Sequence, residues 1–90
     1  MIKLVILVSG QGSNMLALVD AARRGQWESC YGARICSVIS NRPQAPALHK
    51  AAAAGIATRV VDHTAYPTRE AFDAALMASI DQDAPALVLL

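Results

Sequence analysis

The sequence predicts an α/β fold built on an open parallel sheet. Three observations lead there: four short apolar runs of strand type, three stretches of helical periodicity between them, and a glycine-rich turn joining the first run to the first helix. Ninety residues make at most one small domain, spanning 1–90. Hydrophobic residues are 54% of the chain and charged residues 17%, too apolar for disorder and suited to strands buried on both faces.

Leu4-Val5-Ile6-Leu7-Val8 is continuously apolar, as a central parallel strand should be. From Asn14 to Arg24, Met15, Leu18, Val19 and Ala22 share one helical face, and Gly25 is placed to terminate that helix. Gln26 to Gly32 reads as a loop. Ala33 to Ser40, with Ile35, Val38 and Ile39, reads as the second strand, stopped by Asn41-Arg42-Pro43. Pro46 suits the first turn of a second helix running to about Ala54, with Gly55 capping it. Ala57 to Val61 is a short third strand. A third helix starts near Thr68, carries Phe72, Ala75, Leu76 and Ile80 on one stripe, and ends at Asp83-Ala84-Pro85. Ala86 to Leu90 is the fourth strand.

The resulting β-α-β-α-β-α-β order implies right-handed crossovers with helices on both faces of the sheet. The expected strand order is 3-2-1-4, a Rossmann-like arrangement in which ligands bind outside the carboxyl ends of strands one and four. An apolar fourth strand at the sheet edge is an aggregation hazard, so the chain is expected to continue, to self-associate, or to meet a complementing segment there.

Other classes are disfavoured. The net charge is +1 and the basic residues are scattered, so nothing points to nucleic acid or an anionic membrane surface. The apolar start is broken at Gly10-Gln11-Gly12 before it reaches the length of a signal peptide, and no stretch is long enough to span a membrane. Cys30 and Cys36 fit neither a CxxC motif nor a disulfide scaffold, which suggests reduced thiols and a cytoplasmic location. No His/Cys/Asp cluster has metal-ligand spacing, so no metal is expected.

The turn Ser9-Gly10-Gln11-Gly12-Ser13-Asn14 carries the functional signal. Gly10 and Gly12 allow a sharp turn and close backbone approach. Gly12, Ser13 and Asn14 then open a helix, whose first amides lack intrahelical partners and carry the positive end of its dipole, the geometry that binds phosphate. The dinucleotide pattern G-x-G-x-x-G fails at Met15, and Ser40-Asn41-Arg42 stands where it expects an acidic residue. The Walker Gly-Lys-Ser/Thr is absent. The loop suits a monophosphate; a turn plus helix cap without any ligand is the plainer alternative.

Val5-Ile6-Leu7-Val8-Ser9-Gly10-Gln11-Gly12-Ser13-Asn14-Met15 resembles the N-terminal signature of the glycinamide ribonucleotide formyltransferases, folate-dependent enzymes of purine synthesis. Further matches follow in order: Val38-Ile39-Ser40-Asn41-Arg42, Ala54-Gly55-Ile56-Ala57-Thr58, Thr68-Arg69-Glu70-Ala71-Phe72-Asp73 and Ala84-Pro85-Ala86-Leu87-Val88-Leu89. The resemblance covers the whole chain and less than half of the family's usual length.

The resemblance implies that Gly12, Ser13 and Asn14 grip the phosphate of a ribonucleotide monophosphate substrate. It implies that 10-formyltetrahydrofolate is the co-substrate of the complete enzyme and that Arg69 lies near this folate and the phosphate region. Taken alone, Arg69 is also readable as an exposed first-turn arginine, although the helix dipole mildly disfavours a cation there. The asparagine, histidine and aspartate that perform formyl transfer in the family lie beyond the position matching Leu90, as does most of the folate pocket, so residues 1–90 contain no catalytic group.

His49 and His63 read as surface or packing residues, and Glu70, Asp73, Asp81 and Asp83 as solvated charges. Two other functions remain in view. One is a different formyltransferase-superfamily activity, such as a formyltetrahydrofolate hydrolase or methionyl-tRNA formyltransferase. The other is a non-catalytic nucleotide-type half-domain acting through its fourth-strand edge.

Overall fold

Unbroken apolar character lets one strand be covered on both sides, and this fixes the layering. The computed structural model describes residues 2–89. Strand β1 (Ile2–Val8) is followed by helices α1 (Ser13–Arg24) and α2 (Trp27–Tyr31), then β2 (Ala33–Ser40), α3 (Pro46–Ala53) and β3 (Ala57–Val60). A 3₁₀ turn at His63–Ala65, helix α4 (Arg69–Asp81) and β4 (Leu87–Leu89) complete the order. The four strands are parallel in the order β3-β2-β1-β4, as expected.

Alternation along β1 feeds two cores. Ile6 and Val38 meet Met15 and Val19 of α1 and Ala47 and Ala51 of α3 on one face. Val5, Ile39 and Val61 meet Phe72, Ala75, Leu76 and Ile80 of α4 on the other. Ile6, Met15, Ile39, Val5 and Val38 are almost completely removed from water, the dominant favourable contribution in a chain this small. The predicted α4 stripe is therefore the stripe that packs.

Several local expectations change. Gln26 to Gly32 is not merely a loop: Trp27–Tyr31 forms a five-residue helix with no buried residue, too short to leave a periodic signal. Gly25 ends α1 as expected, its amide donating to the Ala21 carbonyl at 2.8 Å, but it is not left-handed. Its φ is −80°, and Gln26 takes the left-handed conformation instead, with φ 50°. Gly25 is small because Trp27 lies over it: a Cβ there would come within 2.9 Å of Trp27 Nε1.

Strand β1 starts two residues earlier than predicted, because Ile2 and Lys3 also pair with β2. Strand β3 closes one residue earlier, at Val60, while the Val61 amide still donates to the Ser40 carbonyl at 2.9 Å. Leu90, predicted as the end of β4, lies outside the described residues. The register of β1 on β2 slips between Leu4, opposite Ile35, and Val5, opposite Ser37, so Cys36 is an extra residue forming a β-bulge.

Asp83 is also not a solvated charge. Its carboxylate accepts from Arg59 Nη2 at 2.6 Å and from the Ser37 hydroxyl at 2.6 Å. Arg59 additionally donates to the Ser79 hydroxyl and carbonyl at 3.1 and 2.8 Å. Strands β2 and β3 thus grip the end of α4. The next residue, Ala84, has φ 46°, a left-handed conformation costing an alanine about 1 kcal/mol. It is held between the Asp83 anchor and the Ala86 amide, which donates to the Lys3 carbonyl at 2.9 Å.

The Arg59 and Ser37 hydrogen bonds hold the Asp83 carboxyl below its ordinary value of 3.8. A depressed carboxyl contributes stability that is present above the unfolded pKa and is lost as pH falls through the folded one. Asp83→Asn is expected to cost on the order of 2 kcal/mol at neutral pH. It should also flatten the part of the acid-unfolding curve below pH 3.8. Urea denaturation of both proteins across that pH range is the check, and parallel acid limbs would refute the assignment.

Candidate functional site

The carboxyl ends of β1, β2 and β3 open on one edge of the sheet, and three connections crowd there: 9–12, 41–45 and 61–68. The first is shaped by Gly12. Its φ of 77° is left-handed, and a Cβ on it would lie 2.5 Å from the Ala47 Cβ and 3.1 Å from the Ala47 Cα. Glycine is required twice over, once for the dihedral and once for the contact with α3. Gly10 differs: its φ is not positive, and a Cβ there would meet nothing within 4 Å.

Helix α3 fastens the loop from one side. The Ala47 amide donates to the Gly10 carbonyl at 3.2 Å and Lys50 Nζ donates to the Gln11 carbonyl at 3.0 Å. Both loop carbonyls are therefore engaged, which offsets the negative edge that they would present to an anion.

Helix α1 starts immediately after Gly12. No side chain caps it, and no acidic residue lies in its first turn. The Ser13 and Asn14 side chains are exposed and do not cap it. Helix α4 forms the contrast within the same fold, because the Thr68 hydroxyl accepts from the Ala71 amide at 3.1 Å. The α1 terminus thus keeps its dipole and outward amides available.

Gly12 and Asn14 line a hollow of about 220 Å³ with Gly10, Met15 and Leu18. A larger cleft of about 590 Å³ lies on the other side of the loop, between Ser9–Gln11, Arg42–Pro46 and Asp62–Thr64. Arg69 lines neither. It stands at the first position of α4, with its side chain 90% exposed and Nε 4.0 Å from Asp73, and lines a separate hollow of about 430 Å³ with Asn41, His63 and Phe72.

His49 and His63 are both exposed, as expected. The His63 ring bonds the Asn41 carbonyl through Nδ1 at 3.0 Å. Asp62 accepts from the Thr64 hydroxyl and amide at 2.7 and 2.9 Å, which lowers its pKa and closes the 3₁₀ turn. Among the described residues no group of three or more His, Cys, Asp or Glu side chains is arranged for a metal, and no helix is long and apolar enough to cross a membrane.

Two residues at this edge escaped sequence reasoning. Asn41 Oδ1 is buried without a hydrogen-bond partner among the described residues. Lys50 reaches the loop from 39 residues downstream of Gln11, and only the fold brings the two together.

A family profile described as formyl transferase matches residues 2–90. The chain belongs to the formyl transferase family. This formyl transferase chain is 40% identical over 88 residues to the trifunctional purine biosynthetic protein adenosine-3 of Bos taurus, covering 98% of this chain and 8% of the relative. It is 38% identical over 87 residues to the phosphoribosylglycinamide formyltransferase of Escherichia coli (strain K12), covering 97% and 39%. The crystal structure of glycinamide ribonucleotide transformylase 1 from Symbiobacterium toebii superposes with a TM-score of 0.85 at 39% identity, covering 98% of this chain and 40% of that one. The formyl transferase chain thus spans about two fifths of the length of the last two.

The Gly12 contact predicts an asymmetry between the two loop glycines. Gly12→Ala should destabilise the fold by on the order of 2–4 kcal/mol, combining the left-handed penalty with overpacking. Gly10→Ala should cost far less. Adding Ala47→Gly to Gly12→Ala should relieve the contact with the Ala47 Cβ but not the dihedral strain, leaving a coupling that a double-mutant cycle in urea will read. Equal effects at Gly10 and Gly12 would contradict this account.

Proposed function

We propose that this chain is the phosphate-binding N-terminal part of a folate-dependent glycinamide ribonucleotide formyltransferase of purine biosynthesis, acting in the cytoplasm. The single observation that carries the reading is the uncapped N-terminus of α1. It opens after a left-handed Gly12 at the carboxyl end of the central strand, in a chain of the formyl transferase family. Gly12, Ser13 and Asn14 are the proposed phosphate contacts. Their amides and the helix dipole favour a compact dianion.

In the complete enzyme, the terminal amine of glycinamide ribonucleotide attacks the formyl carbon of 10-formyltetrahydrofolate. The carbon–nitrogen bond to the folate then breaks, the attacking amine loses a proton, and the departing folate nitrogen takes one up. Groups that stabilise the oxyanion and move this proton are needed, and residues 1–90 are proposed to supply none of them. Arg69 is proposed to face the folate and the phosphate region; its exposed, outward side chain at the hollow beside Asn41 supports that role. The fourth-strand edge is proposed to receive a complementing segment or a second copy of the chain.

The first test is a titration of ribose 5-phosphate followed through the amide resonances of Gly12, Ser13 and Asn14. These signals should move in a saturable way, while those of α4 stay still. A folded protein whose loop amides do not respond would refute the phosphate assignment. The second test is catalytic. The purified 90-residue chain should transfer no formyl group from 10-formyltetrahydrofolate, and measurable turnover without another segment would show that a catalytic group lies within it.

A further inference from the structure

Lys50 is the cation that ties α3 to the glycine-rich loop. It lies on α3, half-buried, and donates to the Gln11 carbonyl at 3.0 Å, one residue before Gly12. Three other cations are matched with carboxylates: Arg24 with Asp20, Arg59 with Asp83, and Arg69 with Asp73. Lys50 has no carboxylate within ion-pair distance among the described residues, and neither do Lys3, Arg23, Arg34 and Arg42. Of these five, Lys50 is the one whose side chain hydrogen-bonds the loop backbone, while Arg42, Asp62 and His63 line the larger cleft beside that loop. The first turn of α1 contains no acid that would neutralise it from the loop side. A partly desolvated ammonium beside an uncapped helix start leaves a local excess of positive charge, which an anion would offset.

We infer that Lys50 is a positioning and charge-selecting residue for the phosphate loop. Its hydrogen bond fixes the Gln11 peptide, and its charge favours a doubly ionised phosphate monoester over a singly charged or neutral group. The inference rests on the phosphate reading of Gly12, Ser13 and Asn14 and extends it to a side chain 36 positions beyond Asn14, on another helix. Two roles are combined. The mechanical role fixes the loop whatever binds; the electrostatic role depends on the charge of the ligand and on salt.

The test uses the whole chain and three proteins: wild type, Lys50→Met and Lys50→Arg. Each is titrated with ribose 5-phosphate and with ribose, following the Gly12, Ser13 and Asn14 amides. The titrations are run well above and well below the second phosphate ionisation, near pH 6, and at low and high salt. Lys50→Met should weaken ribose 5-phosphate binding by on the order of tenfold at the higher pH and low salt, the effect of one nearby charge at intermediate dielectric. The loss should shrink at the lower pH and at high salt, and Lys50→Arg should restore most of the affinity. In the wild type, the Lys50 ammonium resonance should shift with added ribose 5-phosphate, which requires no variant to fold.

A uniform loss at all pH values and salt concentrations would overturn charge selection. Wild-type affinity in Lys50→Met would overturn the inference while leaving the loop assignment intact. Loop amides that ignore ribose 5-phosphate in the wild type would overturn both.

Discussion

The approach of Gly12 to Ala47 is the constraint on which the rest of this edge depends. Two segments 35 positions apart come so close that Gly12 has no room for a side-chain carbon beside the Ala47 Cβ. That contact sets where α1 begins, because Gly12 is both the left-handed residue and the position before the helix. It also sets the height of α3 against the sheet, which brings the Ala47 amide to the Gly10 carbonyl and Lys50 to the Gln11 carbonyl. A bulkier pair would separate the helix from the loop and dissolve all three arrangements together.

The two faces of the sheet are secured by different physics. On the α1 and α3 face, small residues permit close packing: Ala47 and Ala51 are completely buried under Ile6, Val38 and Met15. On the α4 face, apolar contact from Phe72, Leu76 and Ile80 is supplemented by a charged clamp from Arg59 and Asp83. Such a clamp has little tolerance for losing one partner, since the survivor is left partly desolvated. It also immobilises the strained turn at Ala84, so the path into β4 is set by polar geometry.

Much of this was legible in the sequence. Five apolar residues from Leu4 to Val8, helical stripes before Gly25 and after Thr68, and Pro46 at a helix start were enough for the strand order and the layers. The turn at Gly12 was legible as the start of α1 because glycine followed by serine and asparagine is a helix-opening pattern. What escaped depended on contacts between distant residues. Asp83 looks like any acid at a helix end until β3 places Arg59 beneath it. Lys50 looks like a solvated charge until α3 docks. The need for a small residue at Gly25 depends on Trp27 lying over it, and Trp27–Tyr31 is too short for periodicity to register.

The bulge at Cys36 has a consequence for how β2 tolerates changes in length. In an uninterrupted strand, Ile35 would share a face with Ser37 and Ile39. The extra residue reverses that phase. Ile35 packs with Val38 toward α1 and α3, while Ser37 joins Ile39 on the α4 face and meets Asp83. Cys36 therefore acts as a spacer whose presence matters more than its thiol. Removing one residue here would exchange the α1 and α3 face for the α4 face along the amino-terminal half of β2, whereas replacing Cys36 with another residue would leave the phase intact.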